Sequence, residues 1–232
     1  MNPNNDPSNT PTVIYLHGLA SSPASMKAQA FSSYFDEWGL DVVLPNLNEP
    51  EFRSLTVTRA VAQVLDVVDS EKGKGPLILM GSSFGGLVSS RVAQARIDEV
   101  VALCLMAPAF DMPGLWGRVL GEKGVEAWRR QGELEVDHPA YPEPQMLGYG
   151  FYEDALAVGT EPVALEGLPS LVFQGKRDDV VAPSCAEEFA SLNPLAQLQM
   201  VEDGHDLGES VSFMAQTLLR FLSDGDLIPP RG

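Results

Sequence analysis

Short apolar runs and longer stretches with a 3.6-residue repeat follow one another along this chain, which is the signature of strands alternating with helices. Residues 12–16, Thr-Val-Ile-Tyr-Leu, predict a first strand. Ser22 then reads as a helix cap with Pro23 at the first helical position, and the helical pattern runs to about Trp38. Residues 41–44 predict the next strand. Between residues 56 and 70, Val57, Val61, Val64, Leu65 and Val68 recur at the spacing of one buried helix face, which Lys72-Gly73-Lys74-Gly75 ends. The run 76–80 predicts a strand feeding a helical stretch through residues 87–93, and residues 99–106 predict another strand. After a gap, strands at 171–174 and 196–201 resume the rhythm, with helices at about 183–192 and 209–222. Six strands joined by helical crossovers imply an α/β fold built on a mostly parallel, doubly wound sheet.

The gap, residues 108–167, is too long for a structureless loop in a compact domain. Residues 115–131 and 151–158 predict two short helices separated by Pro139-Ala140-Tyr141-Pro142-Glu143-Pro144. Inserted after a strand's carboxyl end, this segment is expected to lie over the site as a helical lid. Trp116, Trp128, Tyr149 and Phe151 are then candidate substrate-binding residues, unless they only pack the lid onto the body.

Composition narrows the class. The chain has 232 residues, 44% of them hydrophobic, enough for a single domain over 11–232 preceded by a polar tail at 1–10. That tail carries no base and no apolar core, unlike a signal or transit peptide, and no apolar run reaches the roughly 18 to 20 residues that span a bilayer. A soluble, cytoplasmic protein is expected. With 15 basic against 32 acidic residues, the net charge of -17 argues against nucleic acid and anionic membranes as partners. Cys104 and Cys185 show neither metal nor disulfide spacing. The oligomeric state is not legible.

The chemistry sits at Gly81-Ser82-Ser83-Phe84-Gly85. Between a strand and a helix, a G-x-S-x-G turn lifts its serine into a strained nucleophile elbow, so Ser83 is the candidate nucleophile and Ser82 is not. A serine nucleophile needs a base, an orienting acid and an oxyanion hole. Of three histidines, His205 follows the last strand in Asp203-Gly204-His205, whereas His17 lies in the first turn and His138 in the proline-rich insertion. The acid belongs after the penultimate strand, where Asp178 and Asp179 adjoin; Asp178 is preferred and Asp179 stays open. The oxyanion donors are expected at the amides of Leu19 and Phe84.

Taken together, Tyr15-Leu16-His17-Gly18 with Ser21-Ser22-Pro23, the Gly81–Gly86 elbow, the Gly175-to-Asp178 loop and Gly204-His205 resemble an α/β-hydrolase. Within that superfamily they are similar to the YqiA/YcfP-like esterases. Leucine at position 19, where an aromatic is common, and the long insertion depart from the pattern. The resemblance implies a carboxylic-ester hydrolase with Ser83, Asp178 and His205 as its triad, a small-molecule acyl ester or thioester as substrate, and no metal or organic cofactor. An acyl thioesterase and a slow-turnover ligand sensor on the same pocket remain open alternatives.

Overall fold

A computed structural model describes residues 10–228. The elements, in chain order, are β1 (Thr12–Leu16), α1 (Met26–Trp38), β2 (Asp41–Val43), α2 (Val57–Glu71), β3 (Leu77–Ser82), α3 (Phe84–Ala95), β4 (Val100–Met106), α4 (Met112–Gln131), β5 (Glu133–Val136), β6 (Gln145–Gly148), α5 (Gly150–Val158), β7 (Ser170–Gly175), α6 (Ser184–Leu192), β8 (Ala196–Val201) and α7 (Val211–Asp224). Residues 1–9 of the expected tail lie outside the described residues.

Six strands form one sheet in the order β2-β1-β3-β4-β7-β8, and every pairing in it is parallel. Its central strands β1, β3 and β7 are buried along their whole length, which explains their unbroken apolar sequences. Successive side chains leave opposite faces of a strand. Val13, Tyr15, Ile78 and Met80 accordingly share a core with Phe31 and Phe35 of α1 and Leu218 of α7. Ile14, Leu16, Leu77 and Leu79 join Val64 of α2, Val88 of α3 and Phe189 of α6 on the other side. The chain leaves β1 outward to β2 and returns to β3 on β1's opposite side. That reversal makes the carboxyl ends of β1 and β3 a topological switch point, where open α/β sheets bind ligands.

Helix α1 starts three residues later than Ser22-Pro23 suggested. The Ser25 hydroxyl accepts from the Ala28 amide at 3.3 Å and is the cap, while Ser22 to Ser25 form a preceding turn closed by Ser25 N–H to the Ser22 carbonyl at 3.0 Å.

The insertion between β4 and β7 holds the two expected helices, α4 and α5, but adds a strand hairpin between them and starts α4 earlier. Asp111 caps α4 by accepting from the Gly114 amide at 2.7 Å, and the helix breaks at Gly121, whose φ of 65° suits glycine. A second break at Gly132, φ 80°, releases the chain into an antiparallel hairpin, β5–β6, with the proline-rich stretch as its loop. Leu134 and Val136 alternate with Glu133 and Glu135, the half-buried pattern of such a strand. The insertion is tied to the body beside the sheet: Asp154 accepts from the Thr58 amide and hydroxyl at 2.8 and 2.6 Å, Arg91 donates to the Glu161 carbonyl at 3.0 Å, and Arg53 pairs with Glu133 at 2.5 Å. Among the described residues no helix is long and apolar enough to cross a membrane.

Candidate active site

Ser83 stands between β3 and α3 with φ 53° and ψ −116°, a region that a non-glycine residue occupies at a cost of about 1–3 kcal/mol. Its surroundings impose that conformation. The Ser83 amide donates to the Met106 carbonyl at 2.9 Å, and its own carbonyl accepts from Gly86, Leu87 and Ala109 at 2.8, 3.2 and 3.2 Å. A Cβ at Gly81 would strike the Gly85 carbonyl, and one at Gly85 would strike the carbonyls of Leu16 and His17. The turn therefore fits this closely only with glycine two residues to either side of the serine.

His205, in the turn from β8 to α7, places Nε2 3.0 Å from Ser83 Oγ and Nδ1 2.9 Å from Asp178 Oδ2. Asp178 follows β7 and is buried; its Oδ1 accepts from the Val180 and Val181 amides at 3.0 and 2.8 Å, and Oδ2 also accepts from Gln174 Nε2 at 2.8 Å. Burial pushes the Asp178 carboxyl up, but the hydrogen bonds from His205, Val181 and Gln174 outweigh it and hold the group below its ordinary value. It stays an anion beside the imidazole. Asp179, the other acid candidate, is exposed.

The histidine turn has its own brace. Buried Asp203 accepts from the Gly204 amide at 2.8 Å and from the Ser210 amide and hydroxyl at 3.0 and 2.9 Å. Neither Asp203 nor Gln174 was singled out from the sequence. Their roles depend on turns that close only when β7 and β8 pair.

The other two histidines bond partners other than Ser83. His17 Nδ1 donates to the Gly18 carbonyl at 2.8 Å, so its Nε2 is the acceptor for the Leu47 amide at 3.0 Å. Burial lowers its pKa, favouring this neutral ring that joins the turn after β1 to the loop after β2. His138 Nδ1 accepts from the Ala140 amide at 3.3 Å, and its ring meets Phe52 and Tyr141 edge-on.

A cavity of about 250 Å³ opens over Ser83, walled by Tyr15, Gly18, Leu19, Lys27 and His205 among others. Leu19 and Phe84, the residues expected to supply oxyanion donors, flank the β1–β3 switch point from two sides. Phe84 is the first residue of α3, a position whose amide has no intrahelical acceptor. A groove of about 680 Å³ adjoins the cavity, lined by Ala20, Met26, Pro139, Ala140 and Val211. Ser21, Ser25, Lys27 and Asp206 belong to both walls.

The four insertion aromatics do not line the cavity at Ser83, which corrects their expected role. Trp128 and Phe151 are fully buried, and Trp116 nearly so. Trp116 meets Trp128 at 5.2 Å, Trp128 meets Tyr149 at 5.6 Å, and Phe151 backs Phe84 at 5.6 Å between ring centres. Rings of this size lower the free energy most when covered, so they pack the insertion together and onto the body of the domain. Only the hairpin tip, Pro139 and Ala140, reaches the groove.

A parallel sheet with a strained serine elbow at its switch point defines a member of the α/β-hydrolase superfamily. More narrowly, residues 12–222 match the uncharacterised protein family UPF0227, and the chain belongs to that family. By sequence it is similar to the mitochondrial palmitoyl-protein thioesterase ABHD10 of mouse, 33% identical over 112 residues, which are 44% of this chain and 36% of that protein. The chain spans only about a fifth to a third of the length of the curated relatives it matches, 22% to 36%. The solved structure of alpha/beta hydrolase domain-containing protein 10 from mouse superposes with a TM-score of 0.78 at 20% identity, covering 93% of this chain and 91% of that one. Est1E from Butyrivibrio proteoclasticus, solved with ferulic acid bound, gives 0.79 at 18% identity over 97% and 93%.

Proposed function

We propose that this protein is a serine hydrolase that cleaves carboxylic esters through an acyl-enzyme on Ser83. The observation that carries the reading is the continuous chain from Ser83 Oγ through His205 to buried Asp178, at 3.0 and 2.9 Å. Neutral His205 takes the Ser83 proton through Nε2 as Oγ bonds to the acyl carbon. The carbonyl oxygen becomes an oxyanion, for which the Leu19 and Phe84 amides are the donors. Asp178 keeps Nδ1 protonated and balances the imidazolium. His205 then gives its proton to the departing alkoxide, the C–O bond breaks, and a water repeats both proton transfers to release the acid and free Ser83.

A thioester presents the same carbonyl to the same residues and differs only in its leaving group. The likeness to a palmitoyl-protein thioesterase favours testing it as the second reading. The test combines a fluorophosphonate probe with a graded panel of matched oxygen esters and thioesters. Labelling at Ser83 together with turnover of either series supports the hydrolase, and relative kcat/KM decides between the series. Neither labelling nor turnover by the folded protein would remove the reading and leave a ligand-binding role for the pocket.

A further inference from the structure

Lys27 is the only lysine or arginine in the first 52 positions, and the structure puts it in the wall shared by the Ser83 cavity and the adjoining groove. Its surroundings are unlike those of the other lysines. Lys72, Lys74 and Lys176 each pair with a carboxylate, and Lys123 is exposed. Half-buried Lys27 has no ion pair among the described residues; its Nζ donates to the backbone carbonyl of Asp206 at 2.5 Å. An ammonium has three donors, so two remain for a ligand.

The acids around it are committed elsewhere. Asp178 is taken by His205, Gln174 and the Val180 and Val181 amides, and Asp203 by Gly204 and Ser210. The Asp206 carboxylate lies 3.4 Å from the Gly208 amide. Tyr15 and His205, the other titratable groups in the cavity wall, supply no anion, since burial raises the Tyr15 hydroxyl well above neutral pH and His205 is the base. A partly buried cation with no carboxylate in ion-pair contact is costly to keep. In a chain of net charge -17 it is also the one lysine or arginine in the wall of the cavity beside the candidate nucleophile.

We propose that Lys27 is a specificity-determining residue of this site, receiving an anionic group of the substrate. Resting on the hydrolase reading above, this defines the substrate class as esters or thioesters that carry a carboxylate or phosphate near the junction of cavity and groove. The carbon skeleton lies along Ala20, Met26, Pro139, Ala140 and Val211; Met26 is 82% exposed in the groove wall, apolar surface that such a skeleton would cover. Burial lowers the Lys27 ammonium to about 8, while Asp206, Asp203 and Asp178 oppose the shift. Anion recognition is therefore favoured at neutral pH and below, and fades as the pH rises through 8.

The test compares monoethyl adipate with ethyl hexanoate, matched in carbon number, and with ethyl 5-phosphonopentanoate, by ethanol release. Wild-type protein is expected to favour the carboxylate ester over the neutral one at least tenfold in kcat/KM at about pH 7. Lys27→Met lowers that ratio at least tenfold, Lys27→Arg keeps it within about threefold, and the wild-type ratio falls as pH passes 8. The phosphonate arm identifies which anion is preferred. A second measurement needs no turnover: calorimetric binding of monoethyl adipate to Ser83→Ala is expected, and its loss in the Ser83→Ala, Lys27→Met protein. A ratio unchanged by Lys27→Met, or equal binding by the two folded variants, overturns the proposal even where ester turnover is intact. Absence of all turnover and labelling overturns the hydrolase reading instead, with the binding arm still deciding the role of Lys27.

Discussion

Ser83, Asp178 and His205 come from the carboxyl ends of three strands, with the serine and the histidine 122 positions apart, whereas Trp116, Trp128, Tyr149 and Tyr152 come from one continuous insertion and touch one another. The two groups are held by different forces. At the strand ends, orientation comes from directed hydrogen bonds and from backbone conformations that the turn enforces. In the insertion it comes from apolar area removed from water, reinforced by edge-on ring contacts. Substitutions in the first region are therefore expected to cost activity with little stability, and those in the second to cost stability with little change in chemistry.

The largest expected effect tests the first half of that contrast. Ser83→Ala is expected to lower ester turnover at least about 1000-fold and to abolish fluorophosphonate labelling, with the melting transition little changed because the only side-chain hydrogen bond lost is the partly exposed one to His205. Peptide mass placing the adduct on Ser82 would sink the assignment. Asp178→Asn follows, with a loss of about 100-fold or more, while Asp179→Asn stays within about threefold; the reverse order in folded variants would move the acid by one residue. Because the folded Asp178 carboxyl lies below its unfolded value, its contribution to stability is present above about pH 4 and is lost as pH falls through the folded value. Urea unfolding from pH 7 down to 3 is expected to show a shallower acid loss for Asp178→Asn than for the parent.

The second half is tested by Trp128→Ala, expected to cost about 3–5 kcal/mol in urea unfolding while the rate of phosphonate labelling under folding conditions stays within about tenfold. A stable variant with altered ester selectivity would instead return this ring to the substrate site. The smallest effect concerns the hairpin tip, where the insertion reaches the groove beside the cavity. Ala140→Leu at the hairpin tip is expected to leave stability within about 0.5 kcal/mol. It is expected to raise KM for longer acyl esters roughly threefold, and identical KM values across the graded panel would show that the groove is not used.

The sequence by itself determined the six strands and their helices, because each is a local statement: an unbroken apolar run for a strand buried on both faces, a 3.6-residue repeat for a helix with one buried side. It also singled out Ser83, since a strained turn between strand and helix leaves its glycines in fixed places. Ser22 followed by Pro23 read as the cap of α1, and the folded chain caps it at Ser25 instead. Which of Asp178 and Asp179 lies against His205, the bracing of the His205 turn by Asp203, and the presence of Lys27 in the cavity wall are all set by tertiary structure. The same holds for the insertion's aromatics, whose spacing is the same whether they face a ligand or each other. Contacts between residues far apart in the chain follow from which strands become neighbours. That order is set by the topology of the whole sheet, which no local period encodes.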